Sequence, residues 1–353
     1  MRWALAAAIL LLSSSSNAEQ WKSVGTEVGL GHWAVAVDPL SPKVIYADAL
    51  NGRELWKSVD GGTNWTSVTT ECPDPATIIV ERARAGAVSV LHRRDHDYSI
   101  ARSLDGGITW TRRDLSKDLF GVATGSMAID PEKPDTIYVA YFCIGLSGCT
   151  RGGGVMRSTN GGKNWAAVLS NVSTEAVTTD PVTTGVVYAK TASGAVLQSA
   201  DSGSSWQVIG PAQQAGGLFL VDSTTGMTLY LIDRTSVSGS HDRGKTWLPA
   251  SALAPDRFEY QGFTEGTIDP ANRAVVFVST GNGPYRSRDG GATWETLRDG
   301  FEDPYNLGRF AWVTNFAWGS DARLWASSSQ AGLHVLEPAG KLPTPARKRR
   351  AVH

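Results

Sequence analysis

The sequence predicts an all-β fold assembled from one repeated unit, and three observations support this prediction. An eight-residue phrase, Ser-x-Asp-x-Gly-x-Thr-Trp with small variations and hereafter called the box, recurs six times. An Asp-Pro pair follows an alternating apolar stretch in several of the segments between boxes. The chain is also rich in glycine and tryptophan, with 38 and 13 residues, and has a formal charge of −1. A phrase that recurs every 40–55 residues or so indicates a repeat architecture.

The box has the composition of a tight turn followed by a strand. Its copies occupy residues 58–65, 103–110, 158–165, 199–206, 240–247 and 287–294. The fifth residue is always glycine, whereas the residue before it varies, so we expect a positive φ that only the fifth position strictly requires. The third residues are Asp60, Asp105, Asn160, Asp201, Asp242 and Asp289. Because Asp and Asn share a side-chain oxygen, we expect it to accept hydrogen bonds from turn N–H groups.

A second phrase completes the repeat between the boxes. It begins at Asp38, Asp130, Asp180 and Asp269, each followed by proline, and at Asp222, which is not. An aromatic residue follows eight positions later, as Tyr46, Tyr138, Tyr188, Phe277 and Tyr230 respectively. The unit therefore reads as strand, Asp-Pro turn, strand, loop, strand, box, strand. This order predicts a four-stranded antiparallel blade, the unit of a β-propeller.

The number of blades follows from the two ends of the repeat. Residues 313–336 contain three strand-like runs without a box, and residues 20–24 resemble the outer strand after a box, such as 64–68. We infer that the N-terminal strand completes the last blade and closes the ring, which removes open sheet edges. The prediction is a single seven-bladed β-propeller; six blades with a frayed end is the alternative.

The box resembles the Asp-box, also called the bacterial neuraminidase repeat. That motif occurs in β-propellers: sialidases, family 74 glycoside hydrolases, sortilin-type receptors and photosystem II assembly factors. The resemblance implies that each box is the turn between the third and outermost strands, on the face opposite the usual binding site. It transfers no catalytic residue, because the chain has no Arg-Ile-Pro phrase of a sialidase. It also has room for only one propeller, whereas the family 74 enzymes use two.

Three segments are expected from the distribution of charge and hydrophobicity. Residues 1–18 predict a signal peptide, with Arg2, an apolar run over 4–12 and cleavage after Ala18. Residues 19–337 form the propeller, and 338–353 form a disordered basic tail. No other stretch is long enough for a transmembrane helix. We therefore expect a secreted or periplasmic protein.

Cysteine usage and net charge limit the partners. Cys143 and Cys149 flank a glycine-rich loop and form either a disulfide or two buried thiols, and Cys72 has no obvious mate. None has histidine neighbours at metal-ligand spacing, so we expect no metal and no cofactor. Near neutrality argues against nucleic acid as the main partner. We expect a monomer.

The predicted binding residues lie on the loops that the resemblance places opposite the boxes. They are His32, Trp33, Arg94, Tyr98, Arg151, Tyr260, Tyr305 and Arg309. Arginine and aromatic side chains on a rigid frame suit recognition of a glycan, a peptide or a protein.

Two functions from different classes remain. The favoured interpretation is a non-catalytic binding or scaffold module, and the alternative is a glycoside hydrolase that uses a pair of carboxylates on the loop face. Carboxylate candidates are Asp95, Asp97, Glu265, Glu302 and Asp303, with Glu265 and Asp303 preferred. No spacing in the sequence selects a pair among them.

Overall fold

The computed structural model describes residues 19–25, 34–49, 54–68, 75–94, 97–115, 123–142, 152–211, 215–249, 251–252, 262–301, 312–328 and 330–337. Within these ranges all regular structure is β-strand, in seven four-stranded antiparallel sheets. In the described part of the chain we find no helix with the length and hydrophobicity needed to span a bilayer.

The strands are numbered in chain order, and each blade begins with the strand nearest the central channel. Blade 1 contains β2 (Val35–Val37), β3 (Ile45–Ala49), β4 (Glu54–Ser58) and β5 (Thr66–Val68). Blade 2 contains β6 (Pro75–Val80), β7 (Val88–Arg94), β8 (Asp97–Ser103) and β9 (Thr111–Asp114). Blade 3 contains β10 (Ala123–Ile129), β11 (Ile137–Phe142), β12 (Gly154–Ser158) and β13 (Ala166–Ser170). Blade 4 contains β14 (Thr174–Thr179), β15 (Val187–Thr191), β16 (Val196–Ser199) and β17 (Gln207–Ile209).

The remaining blades continue the same order until the ring closes. Blade 5 contains β18 (Leu218–Val221), β19 (Leu229–Ile232), β20 (Ser236–Ser240) and β21 (Ser251–Ala252). Blade 6 contains β22 (Phe263–Ile268), β23 (Val276–Thr280), β24 (Gly283–Ser287) and β25 (Glu295–Thr296). Blade 7 contains β26 (Val313–Trp318), β27 (Leu324–Ser328), β28 (Gly332–Leu336) and β1 (Trp21–Val24).

The N-terminal strand closes the ring, which confirms the seven-bladed prediction over six blades. β1 pairs antiparallel with β28, with Trp21 opposite Leu336 and Val24 opposite Leu333. The Trp21 indole is 2% exposed and packs against Phe301 with ring centroids 5.5 Å apart. The outer strand of blade 7 is therefore supplied by the opposite end of the chain.

Antiparallel order gives the propeller two distinct faces. Within each blade the turn after the first strand and the turn after the third strand lie at the same end of the sheet. The Asp-Pro turns and the boxes therefore share one end, which we call the box face. The second and fourth strands of each blade finish at the other side of the propeller, which we call the loop face. The predicted position of each box, between the third and fourth strands, is thereby confirmed.

The core lies between the blades. The predicted aromatic on each second strand is nearly inaccessible to solvent, at 0–3% for Tyr46, Tyr138, Tyr188, Tyr230 and Phe277. Two of these tyrosines also reach the next blade. The Tyr46 hydroxyl donates to the Gly106 carbonyl at 3.2 Å, and that of Tyr230 donates to the Arg273 carbonyl at 3.0 Å. In these two blades the aromatic residue therefore joins neighbouring blades at the box face.

Some expectations fall outside the described residues. These are the signal peptide over 1–18, the tail over 338–353, and Cys72, Cys143 and Cys149. They stay predictions.

Candidate functional site

The boxes use their polar atoms within the turn. In the second box the Gly107 N–H donates to Ser103 Oγ at 2.8 Å, and that hydroxyl donates to Asp105 Oδ1 at 2.8 Å. Asp105 Oδ1 also accepts from the Thr109 N–H at 2.9 Å. Hydrogen bonds from Thr109 hold the pKa of the Asp105 carboxyl at about 2. A carboxylate saturated by its own turn is suited to structure, as the sequence predicted.

Asn160 keeps two of the contacts of the box aspartates without their charge. Its Oδ1 accepts from the Ser158 hydroxyl at 3.1 Å and from the Asn164 N–H at 2.9 Å. The acceptor atom, rather than the negative charge, is therefore the common requirement of the box.

The variable position before the box glycine is also left-handed, a detail that the sequence did not reveal. Ser202 and Arg243 have φ values of 60° and 63°, and Gly107 has a φ of 95°. The fixed glycine differs in its lack of space, because a Cβ on Gly107 would lie 3.0 Å from Val68 Cγ1 on the preceding blade. In five of the six boxes close packing against the preceding blade adds to the backbone strain at the fixed glycine, and Gly162, with its nearest contact at 3.6 Å, is the exception.

The residue immediately before the box serine is a recurring hydrogen-bond donor, which was not predicted from the sequence. The Lys57 ammonium donates to the Gly106 carbonyl at 2.7 Å, and the Arg157 guanidinium donates to the Ser202 carbonyl at 2.6 Å. Each donor reaches the box of the next blade. The signal was present, because five of the six copies have a long polar residue here: Lys57, Arg102, Arg157, Gln198 and Arg286.

A cavity of about 580 Å³ opens at the box face, where the first strands of all seven blades end. We call it the box-face cavity. One lining residue from each blade, in chain order, is Leu40, Val80, Ile129, Pro181, Val221, Pro270 and Trp318. Further lining prolines are Pro39, Pro131 and Pro134. Prolines that follow the first strands of four blades therefore also contribute apolar surface to the channel mouth.

The carboxylates that line this cavity are occupied by structural bonds. Glu81 is 3% exposed and accepts two hydrogen bonds from Arg102, at 2.7 and 2.8 Å. Asp130 is 1% exposed and accepts from the Thr184 hydroxyl and from the Gly185 N–H of the next blade. Among the described lining residues, no carboxylate is left to act as an acid or a base.

Glu265 differs from these paired carboxylates. It lies on β22, the innermost strand of blade 6, next to a register shift between Phe263 and Glu265. Among the described residues its hydrogen-bond donor is its neighbour, since the Gly266 N–H donates to Glu265 Oε1 at 3.1 Å. Burial raises the pKa of Glu265 to about 7, and the Gly266 hydrogen bond opposes this only in part. The other preferred acid, Asp303, lies outside the described residues.

The predicted loop-face residues are mostly outside the described ranges. This applies to His32, Trp33, Arg151, Tyr260, Tyr305 and Arg309. Arg94 ends β7, where the strand register places it opposite Asp97. Tyr98 is 5% exposed and belongs to the core between blades 2 and 3, with Leu91 and Ile100. Their role in binding stays a prediction, whereas the walls of the box-face cavity consist of described residues.

Sequence comparison places the chain near one curated protein. No family model matches the sequence. A xyloglucanase from Paenibacillus sp is 24% identical over 293 residues, which cover 80% of this chain and 22% of that protein. The chain thus spans less than a quarter of the curated relative.

Structural comparison shows the same fold in two groups of propellers. A GH74 xyloglucanase from Xanthomonas campestris superposes with a TM-score of 0.65 at 19% identity, covering 90% of this chain and 53% of the enzyme. YCF48 from Cyanidioschyzon merolae gives a TM-score of 0.64 at 17% identity, covering 91% of this chain and all of YCF48. A structure of YCF48 bound to a D1 peptide gives 0.63 at 15% identity, covering 92% of this chain and 96% of YCF48. At these identities the similarity defines the fold.

Proposed function

We propose that this propeller is a non-catalytic binding module that captures an apolar peptide segment of a partner protein in the box-face cavity. The observation that carries the proposal is the lining of that cavity. Proline and aliphatic side chains from six blades, with Trp318 from blade 7, surround an opening of about 580 Å³, a volume and apolar character typical of ligand sites.

The cavity chemistry supports a peptide more strongly than a sugar. Sugar recognition by proteins commonly uses stacked aromatic rings together with free polar groups. Trp318 is the single aromatic residue among the described lining residues, and Glu81 and Asp130 are bonded internally. A propeller of similar fold, YCF48, has been seen with a bound peptide. The loop-face residues remain a separately predicted surface.

Selection of peptides against the purified protein tests the proposal. We expect a random displayed library to yield peptides rich in proline and aliphatic residues. Leu40, which is 57% exposed at the cavity rim, is the first residue to change. Leu40→Asp should weaken the selected peptides by about tenfold or more, because a charge replaces an apolar contact. Fluorescence anisotropy with a labelled peptide measures the change.

Val208→Asp is the matched control. Val208 is 67% exposed on outer strand β17 and does not line the cavity. This variant should bind as the parent does. Equal affinities for parent and Leu40→Asp, or equal losses in both variants, would contradict the cavity as the binding site. A third arm, Arg151→Ala, asks whether the predicted loop-face surface contributes.

A glycoside hydrolase is the second candidate, because Glu265 has the acidity of a general acid. A carboxyl with a pKa near 7 is protonated in about half of the molecules at neutral pH, and the protonated form can protonate a leaving-group oxygen. The curated relative is a xyloglucanase, so xyloglucan oligosaccharides are the substrates to test. Turnover that is abolished by Glu265→Gln, with the fold intact, would replace the binding proposal. If the parent releases no reducing ends from these oligosaccharides, the hydrolase proposal fails.

A further inference from the structure

We propose that the chain's own tail is a ligand of the box-face cavity, with residues 342–346 in the cavity and the basic residues 347–350 across the box face. This inference rests on the proposed function, because it uses the same cavity. The inference names a segment of the same chain as a ligand of the cavity. It also defines the chemistry that a competing partner segment needs. Four features of the molecule support it.

The chain leaves the propeller on the correct face. β28 is the third strand of blade 7, and third strands end at the box face, as β4 does in blade 1. The last described residue, Glu337, is paired with Lys22 of β1 at 2.9 Å. The residues that follow therefore begin on the side of the molecule where the cavity opens.

The distance to the cavity is short. β28 and β26 are separated by β27 alone, so two strand spacings of about 4.8 Å bring the chain about 10 Å inward. The cavity rim on this blade is formed by Trp318, Gly319 and Ser320, at the end of β26. Four extended residues, 338–341, span roughly 13 Å. Leu342 is then within reach of the rim.

The tail and the cavity have matching apolar chemistry. Residues 342–346 read Leu-Pro-Thr-Pro-Ala, a composition that favours an extended polyproline conformation. Such segments bind in grooves lined by aromatic side chains, and they lose little conformational entropy on binding. The box-face cavity offers Trp318 together with several prolines and aliphatic side chains.

The charges of the two partners are opposite. Hydrogen bonds within the boxes hold the pKa values of Asp60, Asp105, Asp201 and Asp242 at about 2, so these exposed carboxylates are ionised at neutral pH. The cations next to the boxes are already bonded: Arg102 pairs with Glu81, and Lys57 and Arg157 donate to box carbonyl groups. The tail carries Arg347, Lys348, Arg349 and Arg350 in succession. The basic run is therefore attracted to the face that surrounds the cavity.

A tethered tail has a functional consequence. A short linker raises the effective concentration of the tail at the cavity to the millimolar range, so a partner must outcompete it. The competitor that fits best has the same two parts: a short run of proline and aliphatic residues followed by cations. Partner binding is thus expected to expose the tail.

Limited trypsin digestion of the full-length chain tests whether the tail is bound. We expect cleavage within residues 347–350, followed by mass spectrometry, to be several-fold faster in Leu40→Asp than in the parent. It should also accelerate in the parent at about 1 M NaCl, where the Debye length is about 3 Å. Val208→Asp should be cleaved at the parental rate. Equal cleavage of the parent and Leu40→Asp at low salt would overturn the inference.

A peptide added in trans separates this inference from the proposed function. The probe is a labelled synthetic peptide of residues 338–350, and the acceptor is the full chain with Leu342→Asp, whose own tail is weakened. We expect this variant to bind the probe about tenfold more tightly than the parent does. If library-selected peptides bind the parent but the tail peptide binds neither protein, the tail inference fails and the peptide-binding function stands. If neither kind of peptide binds, both fail.

Discussion

Six blades contain a box, and blade 7 closes the ring without one. These two kinds of blade fix their outer strands in different ways. In blade 2 the Trp110 indole donates to the Gly107 carbonyl at 3.1 Å, within the same eight residues. In blade 7 the Trp21 indole donates to the Leu297 carbonyl at 2.9 Å, across 276 positions of the chain. The same indole-to-carbonyl bond is local in blade 2. In blade 7 it connects the N-terminal strand β1 with a residue of blade 6.

The additional contacts of blade 7 follow the same division. Glu19, just before β1, is paired with Arg286 and Arg288 of blade 6. The Trp21 N–H donates to the Asp299 carbonyl at 2.8 Å. Blade 7 therefore depends on long-range contacts with blade 6, whereas a box holds its outer strand by bonds between residues that are close in the sequence. The comparison indicates that the box completes a blade locally, by hydrogen bonds among its own residues.

Removing the closing tryptophan should have the largest effect on stability. Trp21→Ala removes a buried ring that contacts Phe301 and Phe316, and we expect a loss of about 3–5 kcal/mol in the free energy of unfolding. Loosening of β1 would also expose the edge of β28 and promote self-association. Chemical denaturation and analytical ultracentrifugation measure the two effects. Trp312→Ala, at a tryptophan that is 38% exposed, is the control with little expected change. A stable, monomeric Trp21→Ala protein would show that the closing strand is dispensable.

Two box glycines allow the local closure to be tested at matched positions. A Cβ on Gly291 (φ 94°) would lie 2.6 Å from Val237 Cγ1, whereas one on Gly162 (φ 86°) would have its nearest contact at 3.6 Å. Both alanine variants place a non-glycine residue in a left-handed conformation, but only Gly291→Ala also overlaps the preceding blade. We expect losses of about 2–4 kcal/mol for Gly291→Ala and about 1–2 kcal/mol for Gly162→Ala. Equal losses by denaturant titration would assign the requirement to the backbone alone.

The fold could be predicted from the sequence because its signals are local. The box, the Asp-Pro turn and the spacing between them specify four strands, and the expected runs at 313–318 and 332–336 coincide with β26 and β28. Even the closing strand was visible, because residues 21–24 resemble a strand that follows a box.

The cavity could not be predicted in the same way. Its walls come from turns that lie far apart in the sequence, such as those at Pro39, Pro181 and Pro270. Each of these prolines indicates a turn, but nothing in a single repeat shows that the turns of seven blades converge. The state of Glu265 was equally hidden, because its pKa depends on burial by neighbouring blades. A site made of many distant contributions has no local signature.

The pH dependence of stability distinguishes Glu265, on the innermost strand of blade 6, from the aspartates of the boxes. The folded-state pKa of Glu265 is raised from 4.5 to about 7, so the folded protein binds more protons than the unfolded chain between these values. Its contribution to stability therefore decreases as the pH rises from about 4.5 to 7. Glu265→Gln should remove this decrease and raise the stability at pH 8 by roughly 1–3 kcal/mol relative to the parent. Parallel melting-temperature profiles for the two proteins between pH 4 and pH 8 would contradict the raised pKa.

The smallest effect is expected from replacing a box carboxylate by an amide. Asp105→Asn keeps an acceptor for the Thr109 N–H, as Asn160 does for the Asn164 N–H, whereas Asp105→Ala removes the acceptor. At pH 7 we expect the melting temperature to fall clearly for Asp105→Ala and only slightly for Asp105→Asn.

The effect of the Asp105 charge on the free energy of unfolding depends on pH, because folding lowers the pKa of Asp105 from 3.8 to about 2. The ionised carboxylate therefore stabilises the fold above about pH 4, and this contribution is lost as the pH falls to about 2. The parent and Asp105→Asn should converge on acidification, while Asp105→Ala stays lower. Asn160→Asp, the reverse change in blade 3, should give a small gain at pH 7. If Asp105→Asn were as unstable as Asp105→Ala at pH 7, the box would depend on charge, and Asn160 would mark blade 3 as the weakest of the six.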